Sequence, residues 1–136
     1  MQSETTTREF PLDTHNIHIL CIDDEELALT LRKLVLEMQG YQVLTARSAT
    51  DAMQVLEVHD VDLVLADQVM PGGTGTELTR SIKKKWPDLP VILISGINEI
   101  PPDAIYADLF ISKVEGPEVL CAKISSILST RRCSSS

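Results

Sequence analysis

The sequence predicts an α/β fold built on a doubly wound parallel sheet. Two observations carry that prediction. Short, nearly continuous apolar runs recur at 17–22, 41–46, 61–66, 90–94 and 109–111. Between them lie stretches whose apolar residues repeat with helical spacing. Continuous apolar strands are those covered on both faces, as in parallel sheets. Strands alternating with helices build such sheets, and right-handed crossovers then prune the topology to a doubly wound one.

The elements follow in order. The first strand lies in "HILCI" and ends in Asp23 and Asp24. Leu27, Leu31, Leu34, Val35 and Met38 then mark a helix by their i, i+4, i+7, i+8, i+11 spacing, and Gly40 closes it. After the second strand, Ala49, Ala52, Met53 and Leu56 mark a second helix with Ser48 as its N-cap. The third strand, "VDLVLAD", ends in Asp67. Leu78, Ile82 and Trp86 mark a helix that Pro87 stops. The fourth strand ends in Ser95, and the fifth in Ser112 and Lys113. Leu120, Ile124, Ile127 and Leu128 mark the last helix, with Pro117 in its first turn. No internal repeat is visible.

A chain of 136 residues suits one domain. Residues 1–15 read as a flexible N-terminal tail, 16–130 as the domain and 131–136 as a C-terminal tail. The formal net charge of −8 argues against non-specific nucleic-acid binding and suits a cation or a basic partner. The three cysteines, Cys21, Cys121 and Cys133, form no C-x-x-C, so neither a disulfide framework nor a zinc site is expected. Cys21 reads as a small core residue. The cysteine usage fits a reducing cytoplasm. No apolar run approaches the roughly 18 residues of a membrane span, and the N-terminus lacks a signal-peptide core.

In doubly wound sheets the site lies beyond the carboxyl ends of the strands, where strand order reverses. With strand order 2-1-3-4-5, the ends of the first, third, fourth and fifth strands share one rim. That rim collects Asp23, Asp24, Asp67, Ser95, Ser112 and Lys113. Two carboxylates about 5 Å apart repel by about 3 kcal/mol at an effective dielectric near 20. A hard divalent cation resolves such a cluster, and Mg²⁺ favours oxygen ligands of this kind. Glu25 and Glu26 have an ordinary reading as acidic residues opening a helix. Each of the other rim residues, taken alone, also has an ordinary reading as a turn or solvated residue. Their shared position distinguishes them.

These residues together resemble the receiver domain of two-component response regulators, over about residues 16–130. The acidic pair is Asp23-Asp24, and the third strand runs into "LVLADQVMPGGTG" with Met70, Pro71 and Gly75 in an M-P-x-x-x-G tail. Ser95 ends "VILISG", Lys113 ends "LFISK", and Phe110 stands three residues before that lysine. The resemblance implies a flavodoxin-like, five-stranded parallel sheet of order 2-1-3-4-5. It implies that Asp67 accepts a phosphoryl group from a sensor histidine kinase or phosphotransfer protein. It also implies Mg²⁺ (or Mn²⁺) held by Asp23, Asp24, Asp67 and the backbone carbonyl of Val69. Lys113, Ser95 and the switch residue Phe110 would then respond to phosphorylation and signal to a downstream protein. Neither nucleic acid nor membrane is an implied direct partner. Chemistry would be confined to the domain's own phosphorylation and slow dephosphorylation.

Two departures from the family pattern stand out. Val114 follows Lys113 where receivers usually have proline, so a trans Lys113–Val114 bond is expected. The segment "GINEIPPDAIYAD" is short, and Pro101-Pro102 exclude a helix through it, so a shortened fourth helix is expected. Phe110 has no hydroxyl and can switch by packing alone. Three other functions are possible on this fold. A non-phosphorylated interaction module would lack Asp67, Asp24 or Lys113, and all are present. An aspartyl-nucleophile phosphohydrolase would place an acid two residues after the nucleophile, where this chain has Val69. A flavin-binding relative would not place "DDEELA" where a phosphate must sit. Lys83–Lys85 read as a solvated helix face and Trp86 as a helix-end packing residue. His15, His18 and His59 show no ligand spacing.

Overall fold

The computed structural model describes residues 16–70, 73–95, 108–112 and 116–135, without the side chains of Met70, Leu109, Phe110 and residues 130–135. In chain order the elements are β1 (His18–Ile22), α1 (Glu26–Met38), β2 (Gln42–Ala46), α2 (Ala49–Val58) and β3 (Leu63–Asp67). There follow β4 (Val69–Met70), β5 (Gly73–Thr74), α3 (Gly75–Lys85), β6 (Val91–Ser95), β7 (Leu109–Ser112) and α4 (Pro117–Ser135). Five strands form one parallel sheet in the order β2-β1-β3-β6-β7. Counting β6 and β7 as the fourth and fifth long strands, this is the 2-1-3-4-5 order expected from the sequence. β4 and β5 form a separate antiparallel pair just after β3, which strand-length patterning does not reveal.

The sheet is covered on both faces, and the strands divide their residues between them. Ile19 and Cys21 of β1 join Leu63, Leu65, Ile92 and Ile94 beneath α1 and α4. Leu20 and Ile22 join Val64, Ala66, Val91 and Leu93 beneath α2 and α3. This is why each strand reads as a continuous apolar run: consecutive side chains point to opposite, equally dry faces.

The helix ends obey local chemistry. Gly40, at φ 97°, follows the end of α1. Its N–H donates to the Glu37 carbonyl at 2.9 Å and that of Tyr41 to the Leu36 carbonyl at 3.3 Å, a Schellman closure. Ser48 Oγ accepts from the Asp51 N–H at 3.1 Å, the N-cap expected of it. Trp86 ends α3 immediately before Pro87. Leu120, Ile124 and Leu128 bury α4 as their spacing predicts, and Pro117 is its first residue. The helix continues to Ser135, through most of the residues read as a C-terminal tail. No glycine or proline interrupts it there.

Two expectations are corrected. The stripe that marks α1 in the sequence is not the face it buries. Leu29 and Leu36 are buried, whereas Leu27, Leu31, Leu34 and Met38 are exposed. The lysines ending α3 are not simply a solvated face. Lys83 Nζ donates to the Leu89 carbonyl at 2.6 Å and to Asp108 Oδ2 at 2.8 Å. Asp108 Oδ2 also accepts from the Val91 N–H at 2.7 Å, while the Asp108 N–H donates to the Val91 carbonyl at 2.9 Å. Lys85 pairs with Glu57, and its ammonium lies 5.1 Å from the Trp86 ring centroid. The solvated reading treats a helix-end lysine alone; here carbonyl and carboxylate oxygens from neighbouring elements converge on it.

The expected shortening of the fourth helix, the Lys113–Val114 bond and the N-terminal tail all fall outside the described residues.

Candidate functional site

Sheet register assembles the site. Ile22 pairs with Ala66, so Asp23 and Asp67 leave β1 and β3 at the same level. Asp67 pairs in turn with Ile94, one residue before Ser95, and Ser95 pairs with Ser112. The rim expected from the sequence is therefore present at Asp23, Asp24, Asp67, Ser95 and Ser112. Lys113 lies outside the described residues. Phe110 is in register with Leu93, but its side chain lies outside the description too.

The carboxylates converge. One oxygen each from Asp23, Asp24 and Asp67 lie within 4.8 Å of one another. Asp23 and Asp67 are buried, at 2% and 5% exposure, and Ser95 at 1%. Asp24 is the most open of the three acids. Burial and mutual repulsion both disfavour such a cluster unless positive charge or donors meet it. Part of that need is met locally. Asp23 Oδ1 accepts from the Glu25 N–H at 2.9 Å, and Oδ2 from Arg32 Nη1 at 3.1 Å. The Val69 N–H donates to Asp67 Oδ1 across a longer 3.4 Å. Hard oxygen donors, negative in sum and gathered on one side of the rim, suit a magnesium-class cation.

The backbone behind Asp67 is fixed by the turn into α3. Gln68 is buried; its N–H donates to the Ile94 carbonyl at 2.9 Å, and its carbonyl accepts from the Gly75 N–H at 2.7 Å. The Gln68 side-chain oxygen accepts from both the N–H and the hydroxyl of Thr76, each at 3.0 Å. Thr74 and Glu77 form a reciprocal capping box over the start of α3. Gly75 leaves no room for a side chain. A Cβ there would come within 2.6 Å of Leu93 Cδ2 and 2.7 Å of the Asp67 carbonyl oxygen. The glycine of the M-P-x-x-x-G tail is thus required by the close approach of α3 to the backbone of Asp67.

Glu25 and Glu26 keep the roles assigned from sequence, at the start of α1 and outside the carboxylate trio. Cys21, directly beneath the rim, is fully buried. Burial pushes its thiol up to about 12, Arg32 opposes that rise, and Asp23 adds to it.

Residues 19–125 match the response regulator receiver domain. The chain belongs to this receiver family. It is 33% identical over 116 residues to the phosphate regulon transcriptional regulatory protein PhoB of Pseudomonas aeruginosa, spanning 81% of this chain and 51% of that protein. Among solved structures, it resembles a CheY-like receiver domain protein from Methanospirillum hungatei. There the TM-score is 0.81 with 28% identity, covering 87% of this chain and 98% of the other. It also resembles the response regulator TrrA of Thermotoga maritima, whose structure was determined in complex with Mg²⁺-BeF. That match has a TM-score of 0.77 and 29% identity, covering 81% of this chain and 97% of TrrA. The chain spans about half the length, or less, of several curated relatives it matches. Among the described residues of this receiver, no helix is long and apolar enough to cross a membrane.

Sequence reasoning missed two contributors. Gln68 reads as an ordinary polar residue, and only the fold shows it fastening α3 to β3. The capping box was legible as Thr74-x-x-Glu77. Arg32 was the second miss: it falls three residues after Leu29 and four before Leu36, on the face that α1 buries, which the leucine spacing did not single out.

Proposed function

We propose that this receiver takes a phosphoryl group onto Asp67 from the phosphohistidine of a sensor histidine kinase or phosphotransfer protein, and so changes conformation to signal. The convergence of the Asp23, Asp24 and Asp67 carboxylates at the carboxyl edge of the sheet supports this reading above all. An Asp67 carboxylate oxygen attacks phosphorus, the phosphorus–nitrogen bond breaks, and the imidazole departs with the electron pair. The product is an acyl phosphate on Asp67.

Asp23, Asp24, Asp67 and the Val69 carbonyl would hold a Mg²⁺ or Mn²⁺ ion. When bound, such an ion offsets charge on the transferring phosphoryl oxygens. Lys113 pairs with a phosphoryl oxygen as a point charge. Ser95 donates its hydroxyl to another, and Phe110 moves into the space that Ser95 vacates. A few charge-assisted hydrogen bonds at roughly 1.5–3 kcal/mol each can supply the approximately 5.5 kcal/mol that inverts a 1:99 equilibrium.

The receiver unit is 16–130, with α4 running on to Ser135; it works in the cytoplasm, and it acts on a downstream protein rather than on nucleic acid directly. Val69, apolar and two residues beyond Asp67, supplies no proton to a leaving group. Turnover is accordingly confined to the domain's own phosphoryl group.

Intact-mass analysis after incubation with acetyl phosphate tests the reading. One phosphoryl adduct is expected in the presence of Mg²⁺, none in EDTA, and none in Asp67→Ala under either condition. An adduct that persists in Asp67→Ala, or one indifferent to EDTA, would overturn it.

A further inference from the structure

The mechanism above gives Arg32 no task, yet this residue reaches the carboxylate cluster. It occupies a buried-face position of α1, where its neighbours on that face, Leu29 and Leu36, are core residues. Its side chain is 14% exposed and that of Asp23 is 3% exposed, with Nη1 to Oδ2 at 3.1 Å. The other Asp23 oxygen is already taken by the Glu25 N–H. Arg32 and Asp23 line the same cleft as Asp67, Ser112, and Pro117 and Leu120 of α4.

A guanidinium is brought into such a place only against its hydration, and the neighbouring negative charge offsets that cost. Conversely, three carboxylates with oxygens within 4.8 Å repel one another unless positive charge stands near. Arg32 supplies that charge permanently. It also lowers the negative potential that a divalent cation would meet, and it occupies an oxygen of Asp23.

We propose that Arg32 is a resident counter-charge of the receiver site: it stabilises the carboxylate trio without metal and weakens divalent-cation binding by competing for Asp23. It is a positioning residue, acting through Asp23 rather than on a reacting atom. The inference rests on reading the trio as a cation site.

Calorimetric titration of the full chain with Mg²⁺ alone, and urea unfolding in EDTA and in saturating Mg²⁺, test it. Arg32→Gln keeps a hydrogen-bond donor but removes the charge. It is expected to bind Mg²⁺ about fivefold tighter or more, because a like charge near the ion is gone. Its unfolding midpoint falls in EDTA and recovers most of the difference in Mg²⁺. Arg32→Lys, which keeps the charge, stays near wild-type affinity. Unchanged or weaker Mg²⁺ binding in Arg32→Gln overturns the inference. So does an Arg32→Lys that behaves like Arg32→Gln, or an Arg32→Gln that stays unfolded even in Mg²⁺. Asp24→Asn separates the two levels. If wild type binds no Mg²⁺, or binds it equally after Asp24→Asn, the cation-site reading itself fails and this inference with it.

Discussion

Gly75 reaches Asp67 without touching its carboxylate. The atoms a Cβ would meet include the Asp67 carbonyl and the Gln68 Cα, which are backbone and move only by shifting the phosphoacceptor strand. Gly75→Ala is therefore an overpacking change, not a helix-stabilising one, although alanine is the better helix former. We expect a loss of about 1–3 kcal/mol, read as a lower urea midpoint. An Ala variant as stable as wild type would show that the approach of α3 to Asp67 relaxes at no cost. At this scale Asp23, Asp24, Asp67 and Ser95 were legible, because strand ends are easily located and acidic or hydroxyl residues there are few. Arg32 and Gln68 were not. An arginine on a helix and a glutamine in a loop are usually solvated, and only packing reveals them held inside.

The helices were legible as helices, but α1 shows what periodicity leaves out. Leu27, Leu29, Leu31, Leu34, Val35, Leu36 and Met38 nearly encircle it, so helical spacing is satisfied on several faces at once. The sheet selects the face carrying Leu29 and Leu36. Two truncations separate the faces. Leu36→Ala, at a fully buried position, is expected to cost about 2–5 kcal/mol through lost burial and a cavity. Leu34→Ala, at 52% exposure, is expected to change stability by no more than about 0.5 kcal/mol. Comparable losses in the two urea curves would contradict the observed face. The β4–β5 pair escaped prediction for a different reason: two residues per strand are too few to show alternation.

At the scale of the molecule, the continuous apolar texture of five strands was enough to announce a sheet buried on both sides. The same burial has a consequence in alkali. Cys21, whose thiol is pushed from 9.0 to about 12, keeps its proton in the folded chain after the unfolded chain has lost it. A raised folded pKa means stability that is present below about pH 9 and lost as pH rises toward 12, by up to about 1.4 kcal/mol per pH unit for one such group. Cys121 and Tyr41, both raised mainly by burial, act in the same direction. Urea midpoints measured at pH 8 and pH 10.5 should fall more steeply for wild type than for Cys21→Ala. Equal slopes would show that Cys21 is not the group responsible.

The clasp at Asp108 bears on how this fold can change its length. β6 and β7 are parallel neighbours, so the chain leaving Ser95 must cross back to the opposite end of the sheet before Asp108. Asp108 is tied there to Val91 through both backbone and side chain, and to Lys83 of α3. The register of β7 is thus held by contacts independent of whatever connects the two strands. For a connection anchored at both ends, closure entropy grows only with the logarithm of its length, at about 0.6 kcal/mol per doubling. Lengthening of 96–107 is accordingly expected to leave the β6–β7 register and the carboxylate rim in place, whereas the dozen residues there are already about the fewest that a parallel crossover needs.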